Sequence, residues 1–123
     1  MFMEVAWEVS FTDEFERWWE TLDEEAQDAV AVRVELLEEL GPALGRPAVD
    51  QITGSRHHNM KELRASSDGA LRVLFAFDPL REAILLIGGN KTGAWERWYQ
   101  EMIPVADDLY DQHLKELEEE GRI

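Results

Sequence analysis

The sequence predicts an α+β domain in which a mostly antiparallel sheet packs against an N-terminal helical hairpin and a C-terminal helix ends the chain. Three observations carry this expectation. Apolar periodicity runs from alternating, to helical twice, to three short strand-like stretches, and back to helical. Strands and helices therefore do not alternate as βαβ units require. Residues Ala83-Ile84-Leu85-Leu86-Ile87 are apolar on both faces, as a central strand is. The 123 residues suit one domain, taken as 1–123.

The elements follow in order. Residues 3–9 alternate, with Met3, Val5, Trp7 and Val9 on one side, and read as a half-buried strand. Phe11, Phe15, Trp18 and Leu22 recur at helical spacing over 11–22. Thr21 and Glu24 have the spacing of a capping box, opening a second helix that carries Ala26, Val30, Val34 and Leu37 on its inner stripe to Leu40. Gly41 and Pro42 stop it. Residues 41–58 read as loop. Strands are expected at about 59–65, 70–77 and 82–88, with Ser67-Asp68-Gly69 and Asp78-Pro79-Leu80-Arg81 as turns. Trp95, Trp98, Tyr99, Met102 and Ile103 form a helical stripe, and Pro104 is placed at the start of a further helix, bearing Val105, Leu109, His113 and Leu117.

Cysteine is absent, which excludes disulfides and thiolate metal sites and suits a reducing, cytoplasmic location. The first ten residues lack a basic start and a long apolar run, so no signal peptide is expected. Nor is a membrane helix. The net charge of −15 is unevenly spread. Residues 1–45 carry −11 and residues 92–123 carry −6, whereas residues 46–91 carry +2. A slightly basic centre thus lies between two acidic helical segments, whose charge also serves solubility.

That centre holds the groups able to do chemistry. With a three-residue hairpin loop ending on Gly69, Ser66 pairs with Ala70 and Arg64 lies opposite Arg72, while Leu63 and Val73 share the other face. Two guanidinium groups on one rigid face can hold a phosphate and stabilise charge built up in phosphoryl transfer. The alternative is that both are surface arginines paired with Glu62 or other acids. Lys91, in Gly88-Gly89-Asn90-Lys91-Thr92-Gly93, either reaches across the sheet or is an exposed loop lysine; the spacing is not that of a P-loop. In Arg56-His57-His58-Asn59-Met60-Lys61, one histidine can serve as general acid or base, or the stretch is a polar loop. Two adjacent histidines without convergent ligands make poor zinc spacing, so no metal or other cofactor is expected. His113 reads as a packed histidine. Trp95, Trp98 and Tyr99 read as core, with base stacking as the alternative.

Met60-Lys61-Glu62-Leu63-Arg64, Leu71-Arg72-Val73-Leu74-Phe75 and the run from Ala83 to Gly93 resemble the middle of a HigB-like toxin of the RelE/ParE superfamily. The tail from Trp95 through Ile103-Pro104 to His113-Leu114 is similar to an actinobacterial branch of that family. The resemblance spans about residues 3–117. It implies a RelE-like fold and a metal-independent, ribosome-dependent mRNA endoribonuclease in which the 2′-hydroxyl of the mRNA is the nucleophile. It also implies a cognate helix-turn-helix antitoxin as inhibitor. On matching positions, Arg64 and Arg72 take phosphate contact and charge stabilisation. Lys91 takes the same role or proton transfer, and His58 or His57 acid–base chemistry. Lys61, Arg56 and His57 are the expected RNA contacts. Members of this family are neutral to basic, with paired lysines in the loop where this chain has Asn90-Lys91. That difference motivates a second expectation, a binding module without nuclease activity, either a gyrase inhibitor like the ParE branch or an inactive toxin homologue. A third is an assembly role in which the acidic helices are the working surface.

Overall fold

The computed structural model describes residues 7–90 and 95–123. It contains β1 (Glu8–Phe11), α1 (Asp13–Glu20), α2 (Glu24–Leu40), β2 (Val49–Gln51), β3 (Met60–Ser66), β4 (Ala70–Phe77), β5 (Glu82–Asn90) and α3 (Trp95–Glu119). The sheet order is β1-β5-β4-β3-β2. β1 runs parallel to β5 and every other pair is antiparallel, which is the mostly antiparallel α+β arrangement expected.

The side-chain alternation of the strands divides the core into two layers. Leu63, Ala65, Val73, Phe75 and Leu85 face the α1–α2 hairpin, where Phe15, Val30 and Leu37 cover them. Met60, Leu74, Ala76, Ile84 and Leu86 face α3, which supplies Ile103, Ala106 and Tyr110. β5, apolar on both faces as the sequence indicates, belongs to both layers.

Two glycines in β5 allow this close packing. A Cβ on Gly88 would overlap the Trp18 ring on the hairpin side, and one on Gly89 would overlap the Trp98 ring on the α3 side. The absent side chains let each indole lie directly on the strand backbone. On the hairpin side the Trp18 indole N–H also donates to the Asn90 side-chain oxygen at 2.7 Å.

Several local expectations change. Of the expected strand 3–9, residues 3–6 lie outside the described residues; β1 itself is Glu8–Phe11. Phe11 is therefore a strand residue, 55% exposed, rather than part of the α1 stripe. The reason is Thr12, whose hydroxyl accepts from the Phe15 N–H at 3.0 Å and starts the helix after itself. Thr21 and Glu24 do not form a capping box. Thr21 ends α1, donating to the Trp18 carbonyl, and Asp23 caps α2 by accepting from the Ala26 N–H at 2.8 Å. A carboxylate is favoured there because the helix N-terminus carries partial positive charge. The expected loop 41–58 contains β2, whose Val49 pairs with Leu63. Pro104 opens no new helix but sits inside a continuous α3. It lacks the N–H that would bond the Gln100 carbonyl, and both residues are exposed, so water can replace that donor.

Polar ties fix α3 to the sheet. His113 places Nε2 2.8 Å from the buried Asp78 carboxylate, which also accepts from the N–H groups of Leu80 and Glu82 and so orders the β4–β5 turn. The buried Asp107 accepts from the Ser55 hydroxyl at 2.5 Å and from the Arg56 N–H at 3.0 Å.

Gly88→Ala is expected to lower stability in urea unfolding by about 1–3 kcal/mol, the usual effect of an overpacked contact. Gly45→Ala, where a Cβ meets nothing within 4 Å, is expected to change it by less than about 1 kcal/mol.

Candidate functional site

The β3–β4 hairpin sets the site. Its register pairs Arg64 with Arg72, Ser66 with Ala70 and Leu63 with Val73, as the three-residue loop requires. Gly69 at the end of that loop has φ +121°, and Asp68 before it has φ +48°. Period-two alternation then puts Glu62, Arg64 and Arg72 on the face turned toward α3.

Glu62 is the hub of this face. It is 2% exposed. The Tyr99 hydroxyl, from the first turns of α3, lies 2.7 and 2.8 Å from its two oxygens and donates to it. Arg64 donates Nε–H to Glu62 Oε1 at 3.1 Å. The Nε of Arg72 lies 3.5 Å from the same oxygen. Like charges facing each other across a ladder repel. Here one carboxylate between them offsets part of the repulsion.

Each arginine is also held from a second side. Arg64 donates from Nη2 to Asp50 of β2 at 3.2 Å, and Asp50 is shared with Arg46 at 3.0 Å. Arg72 donates from Nη1 to the Leu71 carbonyl at 3.0 Å, and its guanidinium lies 5.5 Å from the centre of the Trp95 ring. The Arg64 side chain remains 36% exposed and the Arg72 side chain 19%. A guanidinium has five N–H donors; Arg64 uses two in these hydrogen bonds and Arg72 one, so both keep donors for a ligand. A cleft of about 490 Å³ is lined by Arg64, though not by Arg72, together with Glu62, Tyr99, Gln51 and Gly54.

Electrostatics stiffen the arrangement. Burial raises the Tyr99 pKa, and the hydrogen bond and charge of Glu62 raise it further, to about 12. Tyr99 is therefore a neutral donor at physiological pH. Burial, the largest influence on Arg64, pulls its pKa down, but the hydrogen bond to Glu62 and the charges of Glu62 and Asp50 outweigh it, and the group stands above its ordinary value. The Arg46 hydrogen bond holds Asp50 below the usual carboxylate range. This constellation can bind an anion with two fixed guanidinium groups. It holds no histidine.

The other sequence candidates lie elsewhere. Lys61 alternates onto the opposite face, its amine 5.7 Å from the Phe77 ring centre. Arg56 hydrogen-bonds Asp108 and Asp111 of α3, and His57 Nε2 lies 2.7 Å from Asp111. Both are thus engaged in fastening the 52–58 segment to α3. These contacts hold Asp111 below the usual carboxylate range, the Arg56 bond first and the His57 bond second. His58 is exposed in that segment. Lys91 lies outside the described residues. Among the described residues no group of three His, Asp or Glu side chains is placed to hold a metal ion, and no helix is long and apolar enough to cross a membrane.

Sequence reasoning named Glu62 only as an arginine partner and Tyr99 only as core or stacking. A carboxylate two positions before Arg64 shares its face, and that signal is visible in the sequence. The Tyr99 contact, made by a residue 37 positions later, has no local signal.

Tyr99 has a testable consequence. Its neutral form is favoured in the fold, so its stabilisation is complete below the ordinary tyrosine pKa near 10 and is lost as pH rises toward about 12. In urea unfolding, the stability difference between the protein and Tyr99→Phe is expected to be constant at neutral pH and to shrink across that alkaline window.

Comparison with known proteins gives the family and the fold. Residues 17–111 match the family described as phage-derived protein Gp49-like. The chain is 50% identical over 116 residues to the putative toxin HigB2 of Mycobacterium tuberculosis, covering 90% of this chain and 58% of that protein. It is 52% identical over 99 residues to the putative toxin HigB3 of the same organism, covering 80% of this chain and 86% of that one. Among solved structures, the isolated E. coli RelE toxin superposes with a TM-score of 0.55 at 14% identity, covering 79% of this chain and 99% of that one. The archaeal RelE–RelB complex from Pyrococcus horikoshii gives 0.54 at 14% identity, covering 72% and 99%. These structures establish the RelE-like fold, and the sequence matches establish the family. The chain belongs to the Gp49-like family, as a HigB-like member with a RelE-like fold.

Proposed function

We propose that this chain is the toxin of a type II toxin–antitoxin pair, acting in the cytoplasm as a ribosome-dependent mRNA endoribonuclease and neutralised by a helix-turn-helix antitoxin. Two relatives are named putative HigB toxins, and among the similar folds are the E. coli RelBE toxin–antitoxin complex and the archaeal RelE–RelB complex. The observation that carries the nuclease reading is the Arg64–Arg72 pair, held side by side by Glu62 on one sheet face, with Arg64 lining an open cleft.

In this reading, Arg64 and Arg72 bind the scissile phosphate and neutralise charge as the 2′-hydroxyl attacks. Their rigidity matters because pre-set donors need no reorganisation when charge develops. Glu62 and Tyr99 position them. Lys91 and His58 are the remaining candidates for proton transfer, and neither belongs to the described cluster. Ribosome dependence fits the small anion site, since one arginine pair supplies little affinity for free RNA in a chain of net charge −15.

One observation favours a second reading. Glu62 already neutralises part of the arginine charge, which suits a binding module, such as a gyrase inhibitor, more than a nuclease. A supercoiling assay with purified gyrase separates the two, since inhibition without RNA cleavage supports the second reading.

The test of the first is induced expression with mapping of RNA 5′ ends. Growth arrest with new ends inside translated messages is expected. Arg64→Ala and Arg72→Ala are each expected to slow cleavage by about two orders of magnitude. Intact messages and normal growth at high expression contradict the reading.

A further inference from the structure

A second cleft, of about 600 Å³, lies on the other face of the sheet, between α1, α2 and the β1 edge. Its floor includes Phe11, Phe15, Trp19 and Val34. Phe11 is 55% exposed, although it packs against the buried Phe15 at a ring distance of 5.9 Å. The rim carries Glu16 and Glu20 from α1, and Glu35 and Glu38 from α2. Each pair is spaced one helical turn apart. Among the described residues none of these four carboxylates has a salt-bridge partner; the nearby Arg17 pairs with Glu14. An apolar trough is thus flanked on both helices by unneutralised acid.

We propose that this trough is the docking surface for an amphipathic helix of a partner protein, one whose apolar stripe is flanked by lysine or arginine. The apolar floor matches the stripe of such a helix. Carboxylates one turn apart match basic side chains at i, i+3 and i+4. Charge rules against other occupants. A second copy of this chain brings the same acidic surface, with residues 1–45 at −11, and nucleic acid brings phosphate. The surface goes beyond the proposed function: it faces the hairpin layer, whereas Arg64 and Arg72 face α3, so occupation leaves the arginine cleft open.

The test uses the isotope-labelled protein and a synthetic leucine–lysine amphipathic peptide of about 18 residues, roughly five helical turns. A leucine–glutamate peptide with the same apolar stripe is the control. The basic peptide is expected to shift the amides of Phe15, Trp19 and Val34 while leaving those of Arg64 and Arg72 in place; the acidic peptide is expected not to bind. Ala31→Arg, in the trough wall, is expected to weaken binding about tenfold or more. The combined Glu16→Gln, Glu20→Gln, Glu35→Gln variant does the same without altering an apolar contact. The combined Glu118→Gln, Glu119→Gln, Glu120→Gln variant removes equal charge at the far end of α3 and is expected to leave affinity unchanged. Equal weakening by both glutamine variants indicates diffuse attraction to an acidic protein and overturns the proposal. Absence of binding overturns it, as does self-association that Ala31→Arg abolishes.

Discussion

One buried carboxylate organises the arginine-bearing face of the sheet. Glu62 lies under two arginines and a tyrosine from three different elements, so the contacts share one carboxylate. A buried charge without partners is costly, and so is a pair of guanidinium groups crowded together. Placed together they become tolerable. Glu62 gains two hydrogen-bond donors and a second cation nearby, and Arg64 and Arg72 gain a shared counter-charge that leaves part of each exposed. The arginine pair can therefore sit at ordinary ladder spacing without being forced apart.

The same carboxylate explains how α3 is seated. At its N-terminal end the helix is tied to the sheet by Tyr99 to Glu62, and further along by Asp107 to the Ser55 hydroxyl and Arg56 N–H, and by His113 to Asp78. Gly89 lets Trp98, next to the Tyr99 tie, reach the β5 backbone. The acidic character of the helix is thus partly structural. Asp107 and Asp111 hold the 52–58 segment, and Arg56 and His57 serve as their partners. The basic centre visible in the sequence splits accordingly, with one part fastening a loop and the other forming the arginine cleft. The strongest negative charge collects on the hairpin side, away from that cleft.

Much of this was legible before the fold. A three-residue turn ending on Gly69 fixes the β3–β4 register, and with it the face shared by Glu62, Arg64 and Arg72. The apolar run at 83–87 places β5 at the centre of the sheet. The illegible parts have particular causes. β2 is three residues long, too short for periodicity to register. Thr21 and Asp23 are both good cap residues, and only the end of α1 decides between them. Pro104 is a helix breaker by local chemistry, but tertiary packing of Ile103 and Ala106 on either side holds the helix through it. Arg56, His57 and Lys61 adjoin the arginine strand in sequence, yet the alternation of β3 and the acids of α3 carry them elsewhere.

The dependence of the site on Glu62 is most directly measured by a double-mutant cycle in urea unfolding with Glu62→Ala, Tyr99→Phe and the combined variant. Because Tyr99 bonds to this carboxylate, the two substitutions are expected to be non-additive, with a coupling of about 0.5–3 kcal/mol. Additivity within about 0.3–0.5 kcal/mol, the behaviour of independent sites, contradicts the account.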